Sequence, residues 1–120
     1  ASTWKFHENN LLVIGMNEKD MAVASNHLIK SNGGMVVVKN GKLLASMPLQ
    51  MAGIISTDSF EQVRKNYSKI NSVLFDKGCK FRRPHLIPIF LPFLALPEIR
   101  ILNTGLVDVK KQQYIPSINS

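Results

Sequence analysis

Cysteine is nearly absent from this chain, with Cys79 the only one among 120 residues. A single thiol excludes an internal disulfide and any zinc site built on paired cysteines, and it suits a reducing cytoplasm. Long apolar runs are missing as well. The longest, residues 86–97, is broken by prolines and falls short of the roughly 20 apolar residues that a membrane helix needs. We therefore expect a cytoplasmic protein with no membrane partner.

Acidic residues are scarce, with eight against fifteen Lys and Arg, which leaves a net charge of +7. A nucleic-acid-binding protein clusters its basic residues on one face, whereas here they are scattered. We therefore expect no nucleic-acid partner and a generally solvated basic exterior. The alternative is a basic module for nucleic acid or an acidic partner. It would require five side chains to converge on one surface: Arg64, Lys65, Lys69, Arg82 and Arg83.

The apolar content is sufficient for one packed domain spanning residues 1–120. Hydrophobic residues make up 45% of the chain and charged residues 19%, which excludes a disordered tail. The chain does not begin with Met and reaches an apolar run by Leu11. That beginning is typical of a piece of a longer polypeptide.

The first half of the sequence predicts a strand, a helix and a hairpin. Residues 11–15 are continuously apolar, which favours a strand buried on both faces. Asn17 is a candidate N-cap for a helix that ends at residues 32–34. A second buried strand is predicted over residues 35–38, and it could lie parallel to the first. Asn40-Gly41 then predicts a type I′ hairpin turn.

The second half predicts another strand, a clearer helix and a hairpin. Residues 50–55 are strand-like. An apolar stripe at spacings of three and four predicts an amphipathic helix that ends at Gly78, and the stripe consists of Phe60, Val63, Tyr67, Ile70 and Leu74. Residues 99–102 and 106–109 flank a turn. Together these elements predict an α+β fold with a mixed β-sheet, two main helices packed on it and a C-terminal β-hairpin.

The chain shows no complete set of catalytic residues. His7, His27 and His85 are far apart and match no metal-ligand spacing such as HxH or HExxH, so we assign no catalytic, cofactor-binding or metal-binding residue. His27 is interpreted as structural or solvated, and His85 as a packing or capping residue. His7 and Glu8 pair a titratable base with a carboxylate just before the first apolar run. They are candidates for lining a pocket; otherwise they are exposed loop residues.

The proline-punctuated segment 86–97 is the candidate interface. So many large apolar side chains are hard to bury together in a domain of this size, and an exposed apolar patch usually marks contact with another domain or subunit. Burial in the core is the competing interpretation. The candidate interface residues are Leu86, Ile87, Ile89, Phe90, Phe93 and Leu94.

Three stretches in order resemble one family, the C-terminal domain of bacterial adenine deaminases in the amidohydrolase superfamily. Residues 10–22, NLLVIGMNEKDMA, are similar to its N-[IL]-[IV]-V-[VI]-G-x-[ND]-x-x-D-M-A. Residues 33–42, GGMVVVKNGK, and 47–56, MPLQMAGIIS, are similar to G-G-x-V-V-V-x-x-G-K and L-P-L-P-I-A-G-L-M-S. Residues 93–97, FLALP, and 104–109, TGLVDV, are similar to the family's closing motifs. No single motif is diagnostic, but the joint match is specific.

The resemblance implies a parent enzyme that hydrolyses adenine to hypoxanthine and ammonia, as part of purine metabolism. In such enzymes a metal ion, Mn or Fe, activates the attacking water on a (β/α)₈ barrel encoded upstream. The present domain would pack on that barrel, help to complete it and support a homo-oligomer. We expect no activity and no cofactor for the 120-residue chain alone.

The chain departs from the family pattern just before the first apolar run. The family commonly has A-S-T-V-A-H-D-S-H-N, whereas residues 1–10 are ASTWKFHENN. Either His7 and Glu8 replace the family's His-Asp after a one-residue slip, or that motif is lost. Two substrates therefore stay open for the parent: adenine, or another substrate of a deaminase-like paralogue.

Overall fold

The structure is a computed structural model that describes residues 1–5 and 10–116. Its helices are α1 (Glu18–Lys30), α2 (Phe60–Asp76) and the short α3 (Ile87–Phe90), which follows a 3₁₀ turn at Pro84–Leu86. Its strands are β1 (Gly34–Lys39), β2 (Lys42–Pro48), β3 (Ile99–Leu102), β4 (Gly105–Asp108) and β5 (Gln113–Ile115). None of the helices in these described ranges is long and apolar enough to cross a membrane.

An antiparallel hairpin, β1–β2, forms the centre of the fold. The predicted turn is confirmed, because Asn40 and Gly41 both have positive φ, 53° and 71°, as a type I′ turn requires. Met35 lies opposite Met47 and Val37 opposite Ala45. Since side chains alternate along a strand, each strand presents one set of residues to each face of the sheet.

The two main helices cover opposite faces of this hairpin. On one face, Val36 of β1 packs with Ala24 and Leu28 of α1. On the other face, Met35 packs with Ile70 and Val73 of α2. The α+β class and the packing of two main helices on a sheet are therefore confirmed.

Both helices begin at the polar residues that cap them. The side chain of Asn17 accepts hydrogen bonds from the backbone amides of Lys19 and Asp20, as predicted, and Ser59 caps α2 in the same way. The predicted stripe of α2 is wrong at its first position, because Phe60 is 85% exposed. Phe60 is the first residue of the helix and is not among the residues that pack against the core.

The strand predicted over residues 35–38 is confirmed as β1, but it does not pair with residues 11–15, and the two sheets of the described residues are antiparallel rather than mixed. Within the described part of the chain, the run at residues 11–15 has one bridge, between Leu12 and Ser2, and Ser2 in turn pairs antiparallel with Met35. The N-terminal segment therefore separates residues 11–15 from β1. Ile14 is 56% exposed, because no strand within the described residues flanks it.

The predicted strand over residues 50–55 is a tight turn instead. Met51 and Ile55 exchange backbone hydrogen bonds of 3.0 and 3.1 Å. Between them, Ala52 and Gly53 have positive φ, 54° and 72°, which reverses the chain direction. The apolar composition of this run favours a strand, whereas its backbone angles show a turn.

The C-terminal hairpin is confirmed and is larger than predicted. Strand β3 pairs antiparallel with β4, and β5 adds a third strand by pairing with β4. Val109 donates a backbone hydrogen bond to the carbonyl of Glu98 at 2.8 Å. This second sheet therefore extends the predicted two-stranded element at the end of the described chain.

Candidate functional site

The pocket-lining candidates His7 and Glu8 lie outside the described residues. Of the two residues that bound this gap, Lys5 is buried. Lys5 and Asn10 line a small cavity of about 110 Å³ together with Pro92 and Asn103. That His7 and Glu8 line a pocket therefore stays a prediction.

The candidate interface segment divides into a buried part and an exposed part. Ile89 is only 2% exposed and belongs to the core, whereas Leu94 is 43% exposed. The other candidates, Leu86, Ile87, Phe90 and Phe93, are half-buried. Among the candidate interface residues, Leu94 alone is therefore classed as exposed to solvent.

His85 fastens the start of this segment to α2. Its ring is 4% exposed, and Nδ1 lies 2.9 Å from Oδ1 of Asn71. Its Nε2 is hydrogen-bonded to the hydroxyl of Tyr67. Since an amide oxygen only accepts, Nδ1 carries the proton and Nε2 accepts from the Tyr67 hydroxyl. Both ring nitrogens are therefore occupied, and the predicted packing role is confirmed.

The surroundings of His85 favour its neutral form. Burial lowers the pKa of its imidazole, and the positive charge of Arg83 lowers it further. A neutral ring with both nitrogens bonded can neither bind a metal nor accept a proton without losing a partner. The sequence indicates part of this cluster, because the spacing of four places Tyr67 and Asn71 next to each other on one face of α2.

An apolar cavity of about 340 Å³, which we call the His85 cavity, lies beside this cluster. It lies on the α2 side of β1, and its walls include Met35, Ile70, Leu74 and Ile87. Ile14 from the exposed N-terminal run completes the opening. A space lined so uniformly by apolar side chains is suited to apolar groups rather than to a polar substrate.

A second cavity of about 360 Å³, which we call the Asp20 cavity, lies on the α1 side of β1. One wall is formed by residues 13–16 and the other by residues 36–40. Asp20 borders it and accepts hydrogen bonds from the backbone amides of Asn40 and Gly41, at 2.8 and 2.7 Å. These bonds hold the start of α1 against the hairpin turn.

The first residue of the chain lies between the two cavities. Ala1 lines both of them, and its amino group donates to the carbonyl of Val36 at 2.9 Å. The Val36 amide donates back to the carbonyl of Ala1 at 2.9 Å. Burial lowers the pKa of the Ala1 amino group from 8.0 to about 6, so this position disfavours a charge.

The described residues offer no metal site. No group of three or more His, Cys, Asp or Glu side chains among them could hold a metal ion. His85 is fully engaged in hydrogen bonds, and Cys79 is a single free thiol. The donor set in this part of the chain does not fit a catalytic metal.

Comparison with known proteins gives one consistent result. The sequence profile of the adenine deaminase C-terminal domain matches residues 1–113. The chain is 53% identical over 118 residues to an adenine deaminase of Cenarchaeum symbiosum, covering 98% of this chain and 19% of that protein. It is 40% identical to an adenine deaminase of Clostridium botulinum, covering 96% of this chain and 19% of that protein. For an adenine deaminase of Brucella abortus the identity is 38%, with 96% and 20% covered. The chain thus spans about a fifth of the length of these relatives.

Proposed function

Because this chain belongs to the adenine deaminase C-terminal domain family, we propose that it is the C-terminal part of a metal-dependent adenine deaminase. In this proposal the intact protein converts adenine and water to hypoxanthine and ammonia in the cytoplasm. The present domain packs against an upstream barrel and does not catalyse the reaction by itself. The observation that carries the proposal is a family match over residues 1–113 of a chain that spans 19% of its relatives.

The upstream barrel, rather than this domain, holds the metal in this proposal. The described residues provide no metal-binding group, and His85, which lines a cavity, is engaged on both ring nitrogens. Mn or Fe, when bound by the barrel, would supply the activated water. The contribution of this chain would be to support and enclose that site.

We further propose that the interface candidates form part of the contact with the barrel or with a second copy. Leu94 projects from the predicted segment and lines a cavity with Leu102 and Val107 of the C-terminal sheet. Ile99 and Ile101 on the adjacent β3 are also exposed. Because side chains alternate along a strand, Ile99 and Ile101 lie on the opposite face of β3 from Leu102. The proposed contact surface is therefore the group formed by Leu94, Leu102 and Val107, and exposed apolar groups typically mark a domain or subunit contact.

The test of the activity is ammonia release from adenine by the intact protein, supplied with Mn²⁺ or Fe²⁺. We expect release by the intact protein and none by the 120-residue chain. Intact protein that is folded and metal-loaded but inactive on adenine would contradict the adenine assignment. Activity on another amino-substituted purine would then indicate a deaminase-like paralogue with a different substrate.

The test of the interface is a pair of substitutions in the intact protein, Leu94→Asp and Ile29→Asp. Ile29 is a matched control, because it is 67% exposed and lies on α1, across the sheet from α2. We expect Leu94→Asp to lower activity or to dissociate the oligomer in light scattering, and Ile29→Asp to change neither. Equal effects of the two substitutions would count against this surface.

A further inference from the structure

The edge of β1 that faces Ala1 is only partly paired. Val36 exchanges both backbone hydrogen bonds with Ala1. In an antiparallel pair, the next such exchange lies two residues farther along each strand. The backbone groups of Val38 are therefore directed to the same edge, and no described residue pairs with them there. Their partner in this register is the residue two positions before Ala1.

The opposite side of the N-terminal segment repeats this arrangement. Ser2 and Leu12 exchange backbone hydrogen bonds of 2.9 and 3.0 Å. By the same two-residue spacing, the next exchange joins Ile14 to the residue directly before Ala1. No described residue is hydrogen-bonded to the backbone of Ile14. Two open edges thus face each other upstream of Ala1.

The space between these two edges is the Asp20 cavity. Its walls are residues 13–16 on one side and residues 36–40 on the other, so it has the position that one additional strand would occupy. The His85 cavity opens on the other face of the same gap, with Ala1, Ile14 and Val37 in its lining. Each volume is more than twice the roughly 150 Å³ of an apolar cavity that binds benzene, which leaves room for apolar side chains.

We propose that the residues immediately preceding Ala1 in the intact protein form a β-strand in this gap, antiparallel to both β1 and residues 11–15. The proposal rests on the proposed function in one respect, that the intact protein is longer than this chain. The chain spans 19% of the length of the Cenarchaeum symbiosum relative. The strand continues the pairing that Ala1 and Ser2 begin. It makes residues 11–15 the edge strand of a four-stranded antiparallel sheet.

The register also determines which cavity each upstream side chain enters. Residues directly opposite each other in a sheet share a face. The residue directly before Ala1 lies opposite Val37, which packs on the α2 side, so its side chain enters the His85 cavity. The residue before that lies opposite Val38, which packs on the α1 side, so its side chain enters the Asp20 cavity. We expect apolar side chains at both positions.

The inserted strand accounts for two features of the isolated chain. Residues 11–15 have the apolar composition of a strand buried on both faces, yet Ile14 is exposed, because its neighbouring strand lies upstream of Ala1. The terminal amine of Ala1 is buried beside apolar side chains, a position that suits an uncharged peptide group better than a charged terminus.

Amide hydrogen exchange at single-residue resolution tests the proposal, by comparing the 120-residue chain with the intact protein. The amides of Ile14 and Val38 should exchange at least about 100-fold more slowly in the intact protein. The Val37 amide, which faces β2, is the internal control and should be protected in both. If Val37 is protected in both while Ile14 and Val38 exchange equally in the two proteins, the proposal is overturned. If the Val37 amide is unprotected in the short chain, the exchange rates are compared within the intact protein. There the Ile14 and Val38 amides should be as protected as the Val37 amide, and unprotected amides would overturn the proposal.

A disulfide experiment in the intact protein tests the register. In a Cys79→Ser background, Val37→Cys is combined with a cysteine either directly before Ala1 or one position earlier. Opposite residues of an antiparallel pair lie within disulfide range, so only the first combination should oxidise to a cross-link. A cross-link from the second combination alone would overturn the register. Neither experiment measures deamination, so an intact protein that is inactive on adenine can still show the strand, and an active one can lack it.

Discussion

The hydroxyl oxygen of Thr3 lies 2.7 Å from the carbonyl oxygen of Gly53, fifty residues later in the chain. The same hydroxyl accepts a hydrogen bond from the backbone amide of Gly34 at 2.8 Å. One side chain thus joins the N-terminal segment, the start of β1 and the turn after β2. Gly34 and Gly53 belong to the two parts of the second family-like stretch, residues 33–42 and 47–56, so Thr3 joins both parts to the N-terminal segment.

Replacing Thr3 with Val should destabilise the domain by about 1–3 kcal/mol, because the Gly34 amide and the Gly53 carbonyl would lose their partner at a partly buried position. Thr3→Ser is the control, since it keeps the hydroxyl and loses only a methyl group. Urea unfolding of the two variants measures the difference. A Thr3→Val variant as stable as Thr3→Ser would show that the hydroxyl does not join these segments.

Gly34 and Gly41 should respond very differently to substitution by Ala. A Cβ at Gly34 would lie 2.3 Å from the carbonyl oxygen of Met47, at a φ of +137°. A Cβ at Gly41 would meet nothing within 4 Å, so only its positive φ carries a cost. We expect Gly41→Ala to cost about 1–2 kcal/mol, and Gly34→Ala to cost more than about 3 kcal/mol.

Thermal unfolding of the two glycine variants provides the measurement. Similar midpoints would mean that the backbone at Gly34 can move away from Met47. That result would contradict the close approach of the two strands at this position.

The elements that could be predicted from the sequence are those with local signals. Asn40 and Gly41 supply the positive φ angles of the hairpin turn, and Asn17 and Ser59 supply the N-caps of the two main helices. Each of these residues acts within a few positions of itself. Their structure therefore does not depend on what packs against them.

The elements that could not be predicted depend on contacts far along the chain. Ala52 adopts a positive φ, unusual for a residue with a Cβ, beside the Gly53 carbonyl that Thr3 binds. Within residues 50–55 only Gly53 indicates a turn, and the apolar residues around it favour a strand. The strand prediction for residues 11–15 was wrong for a different reason. An apolar run forms a strand only where another strand flanks it.

The candidate site was predictable only in outline. The packing role of His85 followed from its position in an apolar segment, but its partners Tyr67 and Asn71 lie on a helix whose orientation the sequence does not specify. The exposed end of the interface segment at Leu94 is likewise a matter of tertiary packing. Both depend on how the segment after α2 folds back onto that helix.

Asn71→Ala should destabilise the domain by about 1–3 kcal/mol, because the buried Nδ1–H of His85 would lose its acceptor. Asn66→Ala is the matched control on the same helix. Its side chain accepts a hydrogen bond from Gln62 at the exposed surface, so the change should stay within about 0.5 kcal/mol. Denaturant titration followed by circular dichroism compares the two, and equal losses would exclude a structural role for the hydrogen bond between His85 and Asn71.

The stability of the 120-residue chain should rise with pH between about 6 and 8. Burial lowers the pKa of the Ala1 amine to about 6 in the folded chain, from 8.0, so in this range the unfolded chain holds a proton that the folded chain has released. The free energy of unfolding then increases with pH, by up to about 2–3 kcal/mol for a shift of this size. Burial of His85 lowers its pKa from 6.5. Its contribution to the free energy of unfolding is therefore lost only below pH 6.5. N-terminal acetylation removes the amine, and urea unfolding at pH 6.5 and 8 should then show a smaller difference. An unchanged pH dependence after acetylation would assign the effect to another group and would place the Ala1 amine in contact with solvent.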